Sequence, residues 1–183
     1  MKKLSAENIN ISVINLISDV AEKENVEIYL VGGFVRDLIL ERKSKDIDVL
    51  VIGNGIDFAK IVAKTTNERI QVFKNFGTAM LKTKDYEIEF VGARKESYNS
   101  DSRKPTIEEG NLEEDLSRRD FTINTLAISL NKKNYGEIVN LFDGINDIKR
   151  KIIKTPKDPQ VTFHDDPLRM FRAARFASQL NFK

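Results

Sequence analysis

At 183 residues the chain has room for one domain with a proper core and a short extension. Hydrophobic residues make up 40% and charged residues 32%, with 30 basic against 28 acidic, so the net charge of +2 leaves nucleic-acid contact to local basic patches. No cysteine and a single histidine, His164, set aside disulfides, thiolate sites and zinc, and leave a hard, oxygen-liganded ion such as magnesium as the metal to expect.

The start, Met1-Lys2-Lys3-Leu4-Ser5-Ala6-Glu7, lacks the apolar stretch of a signal peptide. No run approaches the ~20 apolar residues of a bilayer span, so a cytoplasmic protein without membrane contact is expected. Residues 6–23 place Ile9, Val13, Leu16, Ile17 and Val20 on one stripe, which predicts an opening amphipathic helix. A strand over Glu27 to Val31 runs into Gly32-Gly33, and a short helix follows to about Leu40. Asp46 to Ile52 is the next strand, closed by the turn signal Gly53-Asn54-Gly55. A helix over Ile56 to Thr65 leads to three strands, Arg69–Phe73, Ala79–Thr83 and Glu87–Val91.

Residues 95–111 read as a polar loop without periodicity. Leu112 to Leu130 is expected to be helical, its last residues able to continue as a strand. A short strand at Glu137–Leu141 and a helix at Ile145–Lys151 precede a connector punctuated by Pro156 and Pro159. Asp166-Pro167 then opens a final helix through Leu180, with proline at a favoured first position. His164 is expected in a loop with no catalytic duty. Early alternation of strands and helices, then clustered strands, predicts an α+β domain whose mixed sheet carries helices on one side.

Three groups of residues carry chemistry. Asp46 and Asp48 are two apart in a strand, so both carboxylates point to one face, where they can bridge divalent metal ions. Phosphoryl transfer asks mainly for positioning and charge neutralisation, which two ions ~3.5–4 Å apart provide. Glu87 and Glu89 are candidates for a third carboxylate, with Glu89 favoured because apolar Phe90-Val91 follows it. Taken alone, Asp-x-Asp is as compatible with a solvated strand end. Gly32-Gly33 lies between a strand and a helix, where backbone N–H groups bind anions, and Arg36 one turn later can reach a phosphate oxygen. The plain alternative there is a tight turn with a surface arginine. In Arg118-Arg119-Asp120-Phe121-Thr122-Ile123-Asn124, polar Asp120 and Asn124 are hemmed in by apolar neighbours and need partners. These are sugar hydroxyls, phosphates, each other, or an arginine. On the last helix Asp166, Arg169, Arg172 and Arg175 recur every three residues and cover one broad face, suited to a base edge and phosphates or simply to solvent.

Together these segments resemble the class II tRNA nucleotidyltransferase and bacterial poly(A) polymerase family, within the polymerase-β-like nucleotidyltransferase superfamily. Gly32-Gly33-Phe34-Val35-Arg36-Asp37 with Asp46-x-Asp48 resembles its first motif, the Arg118–Asn124 segment its second, and Asp165-Asp166-Pro167-Leu168-Arg169 its nucleotide-selecting motif. The resemblance implies a mostly antiparallel mixed sheet with flanking helices in a catalytic head over residues 1–150, and the beginning of a helical neck over 151–183. It implies magnesium on Asp46 and Asp48, and nucleotide contacts from Gly32, Gly33, Arg36 and Arg119. Asp120 and Asn124 would shape the pocket and discriminate the ribose; Asp166, Arg169, Arg172 and Arg175 would accept CTP or ATP by its base. The polar loop would match the family's flexible loop, associated with the switch from adding C to adding A.

The expected activity is template-independent addition of CMP and AMP to the 3′ end of tRNA, with CTP and ATP as substrates and no obligate protein partner. Poly(A) polymerase and a CC-only or A-only enzyme are the near rivals. A catalytically inactive nucleotide- or RNA-binding module is the rival from another class, disfavoured by the intact carboxylate pair. Without the family's remaining neck, body and tail, weak tRNA affinity and impaired turnover are expected. The chain departs from the family pattern at Glu41, where glycine often ends the short helix, at Thr125 for alanine and at Asp165 for glutamate.

Overall fold

The computed structural model describes residues 9, 11–99 and 102–183. Residues 6–8 and 10 of the expected opening helix, and Ser100 and Asp101 of the polar stretch, lie outside the described residues. The chain folds as two compact units, one formed by residues 1–93 and 127–139, the other by residues 94–126 and 140–183.

The first unit is built on a seven-stranded sheet. Its strands are β1 (Ile28–Val31), β2 (Asp46–Val51), β3 (Ile70–Phe73), β4 (Thr78–Lys82), β5 (Glu87–Gly92), β8 (Ala127–Ser129) and β9 (Ile138–Val139), in spatial order β3-β4-β5-β2-β1-β8-β9. Only β2 and β5 run parallel; every other neighbouring pair is antiparallel. The expected mixed, mostly antiparallel sheet is thus the observed one.

Side-chain alternation divides the sheet into two faces. Ile47, Val49, Ile88, Phe90 and Leu81 point to one of them and are fully buried. Helix α3 (Gly55–Thr66) covers that face through Phe58, Ala59 and Val62, and Phe58 meets Phe90 edge-on at 5.9 Å. Asn54 caps α3 by accepting the Asp57 N–H. Helix α1 (Ser12–Glu24) buries Ile14, Ile17, Ser18, Val20 and Ala21, so the apolar stripe is centred one residue away from the expected Val13 and Leu16. The turn before α3 lies tightly against β5: a Cβ at Gly55 would stand 2.7 Å from the Gly92 nitrogen. The short helix α2 (Gly33–Ile39) ends as a Schellman turn, with Arg42 N–H donating to Asp37 C=O and Glu41 N–H to Leu38 C=O. Glu41 takes the left-handed position at φ 55°.

The second unit departs from the sequence expectation in three places. The polar stretch forms a two-stranded ribbon, β6 (Arg94–Asn99) with β7 (Ser102–Glu109), paired antiparallel through its backbone hydrogen bonds. The helix expected over 112–130 stops early. Helix α4 (Leu112–Ser117) starts on a capping box between Asn111 and Glu114. The Asp120 carboxylate then captures the Phe121 N–H at 2.9 Å, a local bond that competes with helix continuation. A 3-10 turn over Thr122–Asn124 and strand β8 follow. The connector around Pro159 holds helix α6 (Pro159–Asp165), capped by Asp158 with proline at its first position, and His164 sits in this helix and not in a loop.

Helix α5 (Gly144–Arg150) packs against the 3-10 turn so closely that a Cβ on Gly144 would stand 2.3 Å from the Thr122 carbonyl oxygen. The Thr122 hydroxyl donates to buried Asp147 at 2.6 Å. Helix α7 (Leu168–Leu180) follows Asp166-Pro167 as expected, and its Phe176 stacks edge-on against Phe121 at 5.9 Å.

Candidate active site

The face of the sheet opposite α3 carries the carboxylates. Asp46 and Asp48 occupy the first and third positions of β2, Asp46 exposed and Asp48 half-buried. The parallel register sets Asp46 beside Glu87 and Asp48 beside Glu89. Neighbours in register share a face, so four carboxylates form one patch with spacings of about 6.7 Å along the strands and about 4.8 Å between them. Lys82, opposite Glu87 on β4, pairs with the Glu87 carboxylate. Glu89 lies opposite Met80. Among the described residues, no three histidine, aspartate or glutamate side chains stand close enough to enclose a cation as they are.

The glycine pair is where the sequence puts it, between β1 and α2. Gly32 holds φ 72° and ψ −136°, a conformation that suits a residue without Cβ. Arg36 is buried, with 6% of its surface exposed. Its Nε and Nη2 both stand 3.0 Å from the Asp37 carboxylate, and Nη2 would lie 3.6 Å from a Cβ on Gly33. Arg36 is therefore folded back over the glycine turn, and the plain alternative of a surface arginine does not hold.

In the second unit the Arg-Arg-Asp segment is held by buried carboxylates. Asp115 on α4 is fully buried and accepts from two guanidinium groups. Its Oδ1 takes Arg118 Nε at 3.0 Å and Nη2 at 2.5 Å; its Oδ2 takes Arg119 Nε at 3.1 Å and Nη2 at 2.9 Å. Arg118 also reaches Glu96 of β6 through Nη1 at 3.1 Å, and Glu96 pairs with Arg94 at 2.9 Å. Asp120 and Asn124 are joined by a 2.9 Å bond, so they meet although no continuous helix links them. The other oxygen of Asp120 accepts from Arg172 of α7 at 2.7 and 2.6 Å. Of the partners open to Asp120 from sequence, the structure gives it both Asn124 and an arginine, and the arginine comes from the last helix.

Helix α7 supplies the remaining predicted residues. Arg169 donates to the Arg118 carbonyl at 2.8 Å and stands 4.0 Å from Asp166, whose carboxylate caps the Leu168 N–H at 3.1 Å. Arg172 and Arg175 lie over the Phe176 ring at 5.3 and 5.0 Å. The expected charged face is thus tethered at Arg169 and Arg172, while Arg175 is exposed. Asp115, Glu96 and Phe176 were not singled out from the sequence. The signal for Asp115 was present: Arg118 and Arg119 stand three and four residues after it, the spacing at which helical side chains meet.

A mixed sheet with a carboxylate pair on its open face, entered through a glycine turn, is the architecture of a nucleotidyltransferase head. The chain belongs to the family described as the Poly A polymerase head domain, which matches residues 28–154. It is 44% identical over 155 residues to the A-adding tRNA nucleotidyltransferase of Aquifex aeolicus, a match covering 85% of this chain and 19% of that protein. It is 42% identical over 164 residues to the CCA-adding enzyme of Lactobacillus helveticus, covering 88% of this chain and 39% of that one. A solved tRNA nucleotidyltransferase in complex with a primer tRNA and an incoming ATP analogue superposes with a TM-score of 0.80 at 41% identity, over 91% of this chain and 46% of that one. The chain spans less than half the length of each of these relatives. Nucleotidyltransferases of this family generally use a divalent metal.

Proposed function

We propose that this chain is the catalytic head, over residues 1–150, and the start of a helical neck, over 151–183, of a cytoplasmic enzyme that adds nucleotides to the 3′ end of tRNA. The observation that carries the reading is the Asp46–Asp48 pair at the head of β2, on the open sheet face and in register with Glu89. The donor set suits a hard divalent ion such as magnesium, since every candidate ligand is a carboxylate oxygen. A magnesium ion held by Asp46 and Asp48 would supply charge neutralisation for the attacking 3′-hydroxyl and for the departing pyrophosphate. Glu89 is the proposed third carboxylate, drawn in when the ion binds.

The residues of the chain do the rest. Gly32 and Gly33 let a triphosphate approach the backbone, and Arg36, already turned back over them, offers its guanidinium to a phosphate oxygen. Arg119 is the proposed nucleotide contact of the Arg-Arg-Asp segment. Asp120 and Asn124, bonded to each other, present a polar edge to the ribose. Asp166, Arg169, Arg172 and Arg175 read the base of CTP or ATP. Arg172 holds Asp120 through Nε and Nη2 and would offer its Nη1 to the base.

Addition of the whole CCA end is the first reading, and A-only addition the second, favoured by the A-adding relative at 44% identity. Both are tested with the full-length protein, labelled CTP or ATP, magnesium, and tRNA ending at the discriminator base or after CC. Asp48→Ala is expected to lower incorporation by a factor on the order of 10³. Equal incorporation by wild type and Asp48→Ala would end the catalytic reading. Incorporation of AMP only, and only after CC, would select the A-adding enzyme; equal use of a generic RNA would select a poly(A) polymerase.

A further inference from the structure

The connection from α2 to β2 ends in Arg42-Lys43-Ser44-Lys45, a segment with three positive charges and no negative one. It runs straight into Asp46, the first of the paired carboxylates, and lies wholly within the first unit. Its backbone is pinned at both ends. The Arg42 N–H donates to the Asp37 carbonyl at 2.8 Å, and the Lys45 carbonyl accepts the Glu87 N–H at 3.0 Å. Between them the Ser44 hydroxyl donates to the Asp46 carbonyl at 3.3 Å. The cationic side chains are nevertheless exposed, all three of them. Arg42 stands 3.9 Å from Asp37, whereas among the described residues Lys43 and Lys45 enter no ion pair.

The bond from Glu87 to Lys45 brings the start of β5, and the turn over residues 83–86 before it, to the same end of the sheet. Lys82 is engaged there by Glu87, and Lys84 is followed by Asp85, so the surplus of positive charge at this end lies in the 42–45 segment. Lys45 precedes Asp48 by three residues, a separation of about 10 Å along an extended strand. Asp46, Asp48, Glu87 and Glu89 on one face repel a polyanion, and cations at the head of β2 offset that repulsion where a strand must approach. Lysines suit this task, being compact charges on flexible stems that can follow a phosphate backbone without reading its bases.

We propose that the 42–45 segment is a phosphate-binding rim, with Lys43 and Lys45 as its contacts, for the RNA strand just behind the 3′ end presented to Asp46 and Asp48. This rests on the tRNA reading above and deepens it by separating the residues that hold the strand from those that bind the triphosphate.

The test uses the full-length protein and tRNA lacking its CCA end, with binding followed by fluorescence anisotropy between about 50 and 200 mM salt. Lys43→Gln with Lys45→Gln removes two cations from the rim, and Lys23→Gln with Lys64→Gln removes two equally exposed ones from α1 and α3. The rim variant should bind about tenfold or more weaker at about 0.1 M salt, with a salt slope shallower by about 1.4, the sum of two contacts at about 0.7 each. The control variant should match wild type, and Lys43→Arg with Lys45→Arg, which keeps the charge, should restore the slope. In the incorporation assay the rim variant should raise the KM for tRNA and leave kcat and the KM for CTP unchanged.

Equal slopes for the rim and control variants would overturn the assignment by reducing the effect to net charge. A raised KM for CTP in place of tRNA would overturn it too, by giving the segment to the triphosphate. A wild-type protein that binds no tRNA would end the tRNA reading as a whole, a result distinct from intact wild-type binding with an unmoved rim variant.

Discussion

Tyr29 shows how a single side chain on the open face of the sheet can report on folding. It lies on β1 in register with Leu50 of β2 and Ser129 of β8, with 6% of its surface exposed, and its hydroxyl donates to the Glu27 carboxylate. Burial, then the Glu27 hydrogen bond, then the charges of Glu27 and Glu137, hold its phenol well above the ordinary value of 10.0. A group whose proton is bound more tightly in the folded state stabilises that state fully at pH values below the unfolded pKa. It loses that contribution as pH rises towards the folded one. Wild-type stability should therefore fall as pH climbs past about 10. Tyr29→Phe, which has no proton to lose, should start less stable at neutral pH and fall less steeply over about pH 9 to 11. Urea midpoints across that range check it, and parallel slopes for the two proteins would remove Tyr29 from the account.

At the level of elements, the Schellman turn after α2 carries a conformational cost that the sequence pattern already hinted at. Glu41 adopts φ 55°, a region in which a Cβ crowds the backbone and glycine is favoured. Its side chain is exposed, so little else depends on it. Glu41→Gly should stabilise the protein by about 1 kcal/mol, read as a higher denaturant midpoint at unchanged slope. A loss of stability would mean that Glu41 makes a surface contact worth more than the strain.

The same scale explains what the sequence disclosed. Strand β2 was legible because a period of two set Asp46 and Asp48 against Ile47 and Val49, and α3 because asparagine-glycine opened an apolar period. The β6–β7 ribbon was not, since it is held by cross-strand backbone bonds, and hydrophobic periodicity is silent about those. The end of α4 was hidden for a related reason: Asp120 stops the helix through a bond to its own neighbour, which composition over a window does not register. Asp115 stands apart from Glu113 and Glu114 through the arginines three and four residues on, a spacing present in the sequence, and it is buried with both of them.

On the scale of the whole molecule, charge is nearly balanced and some of the basic side chains are engaged in ion pairs. The 30 basic residues face 28 acidic ones. Arg36 pairs with Asp37, Arg118 and Arg119 with Asp115, Arg172 with Asp120, Lys82 with Glu87 and Lys132 with Asp19. Those pairs involve six of the 30 basic residues, so what limits exchange with the counterions of an RNA backbone is the near-balance of charge and not the pairing. If the chain receives a tRNA 3′ end as proposed, a few phosphate contacts carry the electrostatic part of binding, each adding about 0.7 to the salt slope for a single strand. The logarithm of tRNA affinity for this chain should then fall with the logarithm of salt at a slope near −2, measured by fluorescence anisotropy between about 50 and 200 mM salt. A slope steeper than about −6 would require a broad basic surface, and the balance of 30 basic against 28 acidic residues argues against one. With so little long-range attraction, selection of the RNA must rest on short-range contacts at the 3′ end, while charge-neutral substitutions at Asn124, placed at the ribose, should alter incorporation of CTP against dCTP more than they alter total RNA bound.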